Sequence, residues 1–412
     1  MFVFMACRDL AKHRHLDDGM NATRRILILS GDADGNLGDH AIVQSICNGL
    51  HAICPRAEIT TVSADRARAE RDYGARVIPP GPGGFVKLCA TAMQSDFVLC
   101  GGGGLFQDDD SLIKTPYWAL RVALMRLLCR RVIGYSLGVG PLNASGSRFF
   151  ARLAFHCMER VTVRDSGAQK TAQLLTNKNV KVVPDPAILI SPASGRAART
   201  WLLEQGVPLD GGPLIGVTAR RWFPPRPRII PYRVTAKLRL NGGGPWHESK
   251  RLIALLAKVL DHVIARTGAY VLFLPSYNVP HEGDDLICTK ILEQMSSQRA
   301  AILRCGDAAL YKAVTAQFAA FLGGRLHPSI FAASVGTPVV GLAYNPKFNG
   351  FFEQVGLGDQ FMDVEDFVAN ERVGELADLV EAAAKSGRNF RLAKRAEELG
   401  DQIRSFNASL FA

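Results

Sequence analysis

The sequence predicts an α/β protein with two parallel β-sheets, each covered by helices on both faces. Short β-branched runs alternate with longer amphipathic stretches from residue 25 onward, and strands separated by helices are typical of parallel sheets. The alternation pauses at residues 191–212, a stretch rich in Ser, Pro and Gly at its ends. Because 412 residues are enough for two domains, we expect the two sheets to face each other across a cleft.

Ten runs bounded by turn residues predict the strands. Those before the pause are RILILS (25–30), EITTVS (58–63), DFVLCGG (96–102), RVIGYSLG (131–138), RVTVRD (160–165) and VKVVPD (180–185). Those after it are LIGVTAR (214–220), YVLFLPS (270–276), FAAFLGG (318–324) and PVVGLAY (338–344). Stretches such as HAIVQSICNGL and RVALMRLLCR lie between strands and predict helices.

The same pattern predicts how the chain divides. We expect an N-terminal extension (1–24), a first α/β domain (25–200), a second α/β domain (201–384) and a C-terminal helical segment (385–412). The second domain carries a basic insert at residues 220–247.

Composition restricts the function. The net charge of +11 favours partners that carry phosphate or carboxylate groups. The nine cysteines form no C-x-x-C pair and no zinc-type spacing, so we expect reduced thiols in a cytoplasmic protein that uses no metal and no cofactor. The apolar start, MFVFMAC, is too short for a signal peptide, and no apolar stretch is long enough to span a membrane.

The basic insert interrupts the alternation. From Gly211 to His247 there is no acidic residue, and aromatic residues and prolines separate the cations. One interpretation is a solvated irregular loop. The other is a surface that approaches anionic lipid headgroups at the inner face of a membrane or a pyrophosphate-linked substrate. No nucleic-acid-binding motif accompanies the segment. The cations are Arg220, Arg221, Arg226, Arg228, Arg233, Lys237 and Arg239.

A glycine-rich loop follows the first strand. Gly35 and Gly38 permit close approach of the backbone, Asn36 lies between them, and Asp39 is placed to cap the following helix. A strand, a glycine-rich loop and a helix amino terminus form an anion site, because free N–H groups point at the ligand. A plain strand-to-helix turn is the alternative.

Four consecutive glycines, Gly101–Gly104, follow the apolar run DFVLC. We expect them to lie where the chain leaves the sheet, and Gly102, Gly103 and Gly104 to let a ligand approach the backbone. The aspartates Asp108–Asp110 come next. Asp108 offers either a helix cap or a carboxylate that accepts a proton from a hydroxyl nucleophile.

Two further strand ends carry charge. Arg164 and Asp165 end the strand RVTVRD, and Ser166 is placed to begin a helix. The Arg164 guanidinium could bind a planar carboxylate or phosphate, or simply pair with Asp165. The run VVPDPAILI supplies Asp185 at the next strand end.

The run GGRLHPSIFAASVGTPVVGLAYNPK places His327 at a helix amino end, behind two glycines. We expect its ring to face the cleft and its pKa to be lowered by the helix terminus, which suits proton transfer near neutral pH. A histidine that only fills the core is the alternative. Arg325 and Lys347 lie close to the same strand ends, which favours a functional site.

Six motifs in this order resemble the polysaccharide pyruvyl transferase family, and the resemblance spans about residues 25–357. They are GNLGDHAI, CGGGGLFQD, GYSLGVGPL, TVRDSGAQ, PDPAIL and GGRLHPSIFAASVGTPVVGLAYNPK. The resemblance implies a fold like that of GT-B glycosyltransferases, with two Rossmann-like domains. It also implies transfer of the enolpyruvyl group of phosphoenolpyruvate to a saccharide acceptor, free or lipid-linked, with formation of a pyruvate ketal.

The resemblance also assigns roles. Arg164 would hold the donor's carboxylate or phosphate, His327 would be the general acid, and Lys347 would neutralise the departing phosphate. The other candidate substrate ligands lie in these motifs, apart from Arg220, which ends the run LIGVTAR: Gly35, Asn36, Gly38, Asp39, Gly102, Gly103, Gly104, Asp108, Arg220, Arg325, Leu326 and Tyr344.

Two other functions remain open from the sequence. A nucleotide-sugar glycosyltransferase would share the fold and a stretch like AASVGTP, but the strand just after Pro338 offers no acidic residue to bind a ribose. A non-catalytic protein that binds glycans or anions is the other, although the charged residues cluster at predicted strand ends rather than being scattered.

Overall fold

A computed structural model describes residues 23–31, 35–109, 111–222, 249–277, 283–344 and 347–412, with the side chain of Lys347 outside the description. The predicted N-terminal extension and most of the predicted basic insert therefore lie outside the described residues.

Seven parallel strands form the first sheet, in the order β3-β2-β1-β4-β5-β6-β7. Its first strands are apolar and β-branched, as buried parallel strands require. The strands are β1 (Arg25–Leu29), β2 (Glu58–Val62), β3 (Arg76–Ile78), β4 (Phe97–Phe106), β5 (Val132–Val139), β6 (Arg160–Val163) and β7 (Lys181–Val182).

Six parallel strands form the second sheet, in the order β10-β9-β8-β11-β12-β13. In both sheets the order reverses beside the first strand, and this reversal opens a crevice at the carboxyl ends of the strands. The strands are β8 (Leu214–Thr218), β9 (Tyr270–Phe273), β10 (Ala300–Ile302), β11 (Ala320–Gly323), β12 (Val339–Ala343) and β13 (Phe361–Asp363).

The ten predicted strands are all present, and the described residues contain three more that were not predicted. These three, β3, β10 and β13, are each three residues long and each lie at the edge of a sheet. An edge strand of this length is too short to show the alternation that reveals a longer strand.

Helices connect the strands and cover the sheets. In the first half they are α1 (Leu37–Ile53), α2 (Arg66–Tyr73), α3 (Pro82–Gln94), α4 (Lys114–Leu128), α5 (Ser145–Cys157) and α6 (Ser166–Gln173). They are followed by α7 (Gly195–Glu204), α8 (Lys250–Thr267), α9 (Asp284–Leu292), α10 (Ala308–Thr315), α11 (Leu326–Ser334), α12 (Lys347–Gln354), α13 (Val364–Asn370), α14 (Val373–Ser386) and α15 (Phe390–Ala408).

The alternation of side chains along β1 shows how the layers are built. Ile26 and Ile28 pack with α1 in a core that continues into the second half of the chain. Leu27 and Leu29 point to the opposite face of the sheet, where α3, α4 and α5 pack. The helices α3, α4 and α5 thus lie on the face of the first sheet opposite the shared core.

Two helices help to define the halves. Helix α7 packs on α10 of the second half, and the Ala193 amide donates to the Ala309 carbonyl at 2.9 Å. Helix α15 crosses back to the first half, where the Tyr135 hydroxyl donates to Asn407 Oδ1 at 2.6 Å. We propose that the halves divide before α7, somewhat earlier than the expected position after residue 200, and that α15 ties them together.

Candidate functional site

The site lies where the carboxyl ends of the strands of both sheets face each other. In a parallel sheet the chain leaves every strand at the same edge, so residues just beyond the strands converge. β1 leads into the loop before α1, and β6 ends directly before Arg164. In the second half, β11 leads into α11, whose second residue is His327.

His327 packs against the backbone of Gly38, which belongs to the other half of the chain. A methyl group built on Gly38 would lie 1.9 Å from His327 Nδ1 and 2.2 Å from its Cγ. Close-packed interiors do not accommodate such an overlap, so only glycine fits at position 38 with the imidazole in this place. The His327 side chain is 13% exposed, which leaves part of it accessible to a ligand.

Asp185 joins His327 to Arg164. Its Oδ2 atom lies 3.5 Å from His327 Nε2 and 3.7 Å from Arg164 Nη1. Its Oδ1 atom accepts a hydrogen bond of 3.0 Å from the Ala187 amide, which fixes the carboxylate. Neither Asp185 Oδ2 nor His327 Nε2 has a hydrogen-bond partner among the described residues, although both atoms are buried. The contact is therefore a buried ion pair rather than a short hydrogen bond.

The electrostatics of this pair correct one expectation. The pKa of His327 is raised above its ordinary value, whereas the sequence suggested a lowered one. Burial lowers this pKa, but the charges of Asp185 and Asp39 outweigh burial and the opposing charge of Arg164. Burial likewise raises the pKa of Asp185, but His327 and Arg164 outweigh it and the pKa falls. The structure therefore keeps His327 protonated to a higher pH than a free histidine.

Arg164 is held in place by a second carboxylate and by a pair of glycines. Its Nε atom lies 3.3 Å from Asp165 Oδ2, and its side chain is only 6% exposed. Gly138 of β5 pairs with Gly104 of β4, and a methyl group on Gly138 would lie 3.2 Å from Arg164 Cζ. A larger residue at position 138 would crowd the guanidinium.

The sequence suggested that the four glycines lie where the chain leaves the sheet. The structure instead places all four within β4. Gly102 and Gly103 have φ values of 75° and 95°, which disfavour any residue with a side chain. A methyl group on Gly102 would lie 2.2 Å from Ile42 Cγ2, whereas one on Gly103 would lie 3.2 Å from Asp39 Oδ1. Gly102 thus serves packing against α1, and Gly103 faces the site.

The cap of α1 also differs from the expectation. Asn36, not Asp39, is the N-cap: its Oδ1 atom accepts a hydrogen bond of 3.0 Å from the Gly38 amide. Asp39 lies in the first turn and accepts a hydrogen bond of 3.0 Å from Asn36 Nδ2. A half-buried Gly35 precedes the cap. Asp39 is therefore placed by Asn36 near His327, where it contributes charge rather than a cap.

Asp108 anchors a loop. Its carboxylate is fully buried and accepts hydrogen bonds from the amides of Asn143 and Ala144, at 2.9 and 2.8 Å. These amides directly precede α5. Asp108 thus holds the loop before α5 through backbone amides, without capping the helix by a bond to its first-turn amides.

Arg325 is held by Asp284. The Arg325 Nε atom lies 3.0 Å from both carboxylate oxygens of Asp284, and its Nη2 atom also contacts Oδ1. Asp284 is 1% exposed and also accepts hydrogen bonds from the amides of Ser276 and Tyr277. Arg325 is thus largely committed to a structural pair, and it stacks on the Tyr277 ring at 4.9 Å.

The other predicted ligands are placed as follows. The Arg220 guanidinium lies 3.9 Å from the centre of the Tyr344 ring at the ends of β8 and β12. Leu326 is 4% exposed and its side chain belongs to the shared core, so only its backbone could meet a ligand. Lys347 begins α12, and its side chain lies outside the described residues.

Contacts between the halves close the site at two places. The Leu37 amide donates to the Ser276 carbonyl at 2.9 Å, beside a single β-bridge between Asn36 and Tyr277. On the other side, Gln354 Nε2 donates to the Arg164 carbonyl at 2.8 Å. The start of α1, which carries Gly38, and the segment after β6, which carries Arg164, are thus fixed by the second half of the chain.

Sequence reasoning noted Asp185 only as a strand end and missed Asp284 and Gln354. Asp185 carried a usable signal, because an Asp-Pro pair directly after a predicted strand lies at the edge where the other site residues lie. The partners of Asp284 and Gln354 are 41 and 190 residues away in the chain, and no local pattern predicts such pairs.

The described residues contain no group of three or more His, Cys, Asp or Glu side chains arranged to hold a metal ion. Among the helices that the structure describes, none is long and apolar enough to cross a membrane.

Solved structures share the fold at low sequence identity. A UDP-GlcNAc 2-epimerase from Methanocaldococcus jannaschii has a TM-score of 0.57 and 11% identity, with 93% of this chain and 100% of that chain covered. A glycosyltransferase from Rickettsia africae has a TM-score of 0.55 and 8% identity, with 95% and 98% covered. The predicted GT-B-like fold is confirmed. No curated protein is significantly similar to the chain in sequence.

The family is shown by the sequence itself. The family model described as polysaccharide pyruvyl transferase matches residues 36–346, which is most of the chain and runs from the cap of α1 to the end of the Y-x-P stretch. The matched region contains Gly38, Arg164, Asp185 and His327. The chain therefore belongs to the polysaccharide pyruvyl transferase family.

Proposed function

We propose that the protein transfers the enolpyruvyl group of phosphoenolpyruvate to a sugar of a polysaccharide or a lipid-linked oligosaccharide, releasing phosphate. The single observation that carries this proposal is the placement of His327, between Gly38 and Asp185, in a chain of this family. A protonated imidazole in a partly accessible cleft is suited to deliver a proton. Phosphoenolpyruvate must receive a proton on C3 for the ketal to form.

Ketal formation from phosphoenolpyruvate requires a proton on C3 and the loss of phosphate from C2. The electron pair of the C2–C3 double bond forms the new C–H bond, and C2 becomes electrophilic. One sugar hydroxyl bonds to C2, the bond from C2 to the phosphate oxygen breaks, and a second hydroxyl closes the ring. The hydroxyls release two protons, of which one restores the acid and the other leaves on phosphate.

His327 is the proposed general acid. Asp185 and Asp39 raise its pKa, so the imidazolium form persists toward neutral pH. After the proton reaches C3, neutral His327 can accept the proton of the attacking hydroxyl, which regenerates the acid. Gly38 and Asp185 then act as positioning residues, because they hold the ring on two sides.

Charge balance indicates which groups meet the donor. Phosphoenolpyruvate carries a carboxylate and a phosphate, whereas Arg164 already faces the carboxylates of Asp165 and Asp185. Arg164 therefore provides orientation with little net charge. We assign the remaining neutralisation to Lys347, at the start of α12, and to the amino termini of α1 and α11.

The acceptor side is part of the same proposal. None of the thiols that the structure describes forms a disulfide, which fits a reducing cytoplasm. These thiols are buried, except those of Cys89 and Cys157, which are partly exposed. A lipid-linked acceptor would be reached at the inner face of the membrane. The cations of the basic insert beyond Trp222, outside the described residues, are proposed to attract its headgroups.

Ligand-dependent thermal stability tests the donor. A ligand that binds only the folded state raises the melting temperature. We expect phosphoenolpyruvate to stabilise the protein and UDP-GlcNAc to have no effect. Stabilisation by UDP-GlcNAc alone would favour a nucleotide-sugar glycosyltransferase. If neither ligand stabilised the protein and only a glycan bound, a non-catalytic binding protein would be favoured.

Substitution of His327 tests the acid. His327→Asn and His327→Ala should each lose about 10²- to 10⁴-fold in turnover, the usual contribution of a general acid, while still binding phosphoenolpyruvate. His262→Asn is the matched control, because His262 is an exposed residue of α8. If turnover survives in the His327 variants while donor binding collapses, His327 is a phosphate ligand and the proton comes from another group, with Asp39 the next candidate.

A further inference from the structure

Exposed apolar side chains are concentrated on one face of the first half. Among the described residues, eight of the twelve large apolar side chains that are exposed belong to α3, to α5, or to α4 with the residue before it. On α3 they include Phe85 and Val86, which are 51% and 78% exposed, and on α5 Phe149 is 62% exposed. Such a concentration on adjoining helices exceeds the scatter that is normal on a protein surface.

Helix α4 carries the longest part of this surface. Ile113, Tyr117, Leu120 and Leu127 are exposed, and half-buried Leu124 lies between the last two. The spacings alternate between four and three residues, so the side chains form one continuous stripe along the helix. Buried Trp118, Val122 and Met125 already pack α4 on its sheet. The stripe is therefore a second apolar face that the described chain does not cover.

The surface lies at the side of the molecule where the site opens. α3, α4 and α5 pack beside one another on the face of the first sheet opposite the shared core. In a parallel sheet, helices start at the edge where strands end. Phe85, Val86, Tyr117 and Phe149 are the fourth or fifth residues of their helices, hence near the edge that carries Arg164.

The charge of this surface identifies its partner. Residues 79–95 and 111–158 contain no Asp or Glu. Exposed cations accompany the apolar side chains: Lys87, Arg126, Arg130, Arg148 and Arg152. A second copy of the chain would bring like charges together, which disfavours self-association. An anionic bilayer offers phosphates to the cations and an apolar interior to the side chains between them.

We propose that the face formed by α3, α4 and α5 binds the surface of an anionic phospholipid bilayer. The apolar side chains enter the headgroup region, and the lysine and arginines meet lipid phosphates. Bound in this way, the protein presents the open edge of its site next to the headgroups. The proposal concerns a surface distinct from the basic insert and does not depend on which reaction the site performs.

Vesicle sedimentation of the full-length protein tests the proposal, with a closely matched control. The variant Val86→Gln/Leu120→Gln/Leu127→Gln removes side chains that are 78%, 58% and 83% exposed. The control Leu174→Gln/Leu203→Gln/Phe390→Gln removes side chains that are 80%, 59% and 77% exposed, on other parts of the surface. Because all six are exposed, both variants should melt within a few degrees of the parent.

The expected result is binding of the parent to phosphatidylcholine vesicles with about one third phosphatidylglycerol, and weaker binding at high salt. The surface variant should bind at least about tenfold more weakly, because each replaced side chain loses methylene or methyl groups that the bilayer would bury. The control variant should bind like the parent. Arg126→Gln/Arg152→Gln should weaken binding and reduce its dependence on salt.

Three results would overturn the proposal. The first is absence of binding by the parent at low salt. The second is equal binding by parent and surface variant; if neutralising Arg226, Arg228, Arg233 and Arg239 then abolished binding, the basic insert would be the membrane contact instead. The third is a parent that is dimeric in solution and a surface variant that is monomeric, which would make the face an interface between copies.

Discussion

Replacing Gly38 with alanine tests the packing at the centre of the site. The added methyl group would lie 1.9 Å from His327 Nδ1, 2.2 Å from Cγ and 2.6 Å from Cβ. Ordinary contact begins at 3.4 Å, so the imidazole must retreat by about 1.5 Å, the difference between the two distances. A misplacement of about 1 Å can cost on the order of 100-fold in rate. We therefore expect Gly38→Ala to lose about 10²- to 10³-fold in turnover.

The effect on folding should be much smaller than the effect on turnover. Alanine in place of glycine favours a helix by about 0.5 to 1 kcal/mol, whereas overpacking typically costs about 1 to 3 kcal/mol. The free energy of unfolding should therefore fall by about 0 to 2.5 kcal/mol. Gly374→Ala is the matched control, because Gly374 is also the second residue of a helix and a methyl group there meets no atom within 4 Å. It should be neutral or stabilising.

Turnover is measured as phosphate released from phosphoenolpyruvate in the presence of a panel of nitrophenyl glycosides, and donor binding by calorimetry. Gly38→Ala should still bind phosphoenolpyruvate, as His327→Asn should, but it should release phosphate more slowly. Gly374→Ala should keep the parent rate. If Gly38→Ala turned over at the parent rate with unchanged stability, the His327 ring would not be held against Gly38, and the assignment of Gly38 as a positioning residue would be wrong.

Three further predictions follow from the charged residues. Asp185→Asn should lower the pKa of His327, so the high-pH loss of turnover should begin at lower pH than in the parent; an unchanged pH profile would refute the pairing. Its stability deficit should be largest between pH 3.8 and 6.5, the ordinary values of the two groups, because the Asp185 contribution is lost as pH falls and the His327 contribution is lost as pH rises. Arg164→Ala and Lys347→Ala should each weaken donor binding by about 2 to 4 kcal/mol. Arg164→Ala should also destabilise the fold by about 3 to 5 kcal/mol, because it removes the cation that lies between two buried carboxylates, Asp165 and Asp185. Turnover should survive EDTA, and loss restored by a divalent ion would favour the glycosyltransferase reaction.

The sequence predicts the long elements of the fold well and the short ones poorly. β1, β4 and β5 are apolar, β-branched and flanked by turn residues, so local pattern is sufficient to find them. The end of β4 was misjudged because glycine has little intrinsic preference for strands, and pairing with β5 keeps Gly101–Gly104 in the sheet.

Site residues could be found where a strand end carries a charged group. Arg164 and His327 were predicted in this way, and the structure brings them to either side of Asp185. The raised pKa of His327 could not be predicted, because the helix terminus is visible in the sequence but the carboxylates of Asp185 and Asp39 approach only in the folded chain. Gly38 was recognised as a glycine that permits close approach, but not as the residue that His327 contacts.

The central claim is that His327 delivers the proton that turns phosphoenolpyruvate into a sugar ketal. The most direct measurement is the product formed by the parent and by His327→Asn from phosphoenolpyruvate and a nitrophenyl glycoside, analysed by mass spectrometry and proton NMR. The parent should give a glycoside with one pyruvate ketal, a single new methyl signal and one phosphate per ketal, and His327→Asn should give the same product at least about 100-fold more slowly. Ketal formation by His327→Asn within tenfold of the parent rate would contradict the claim.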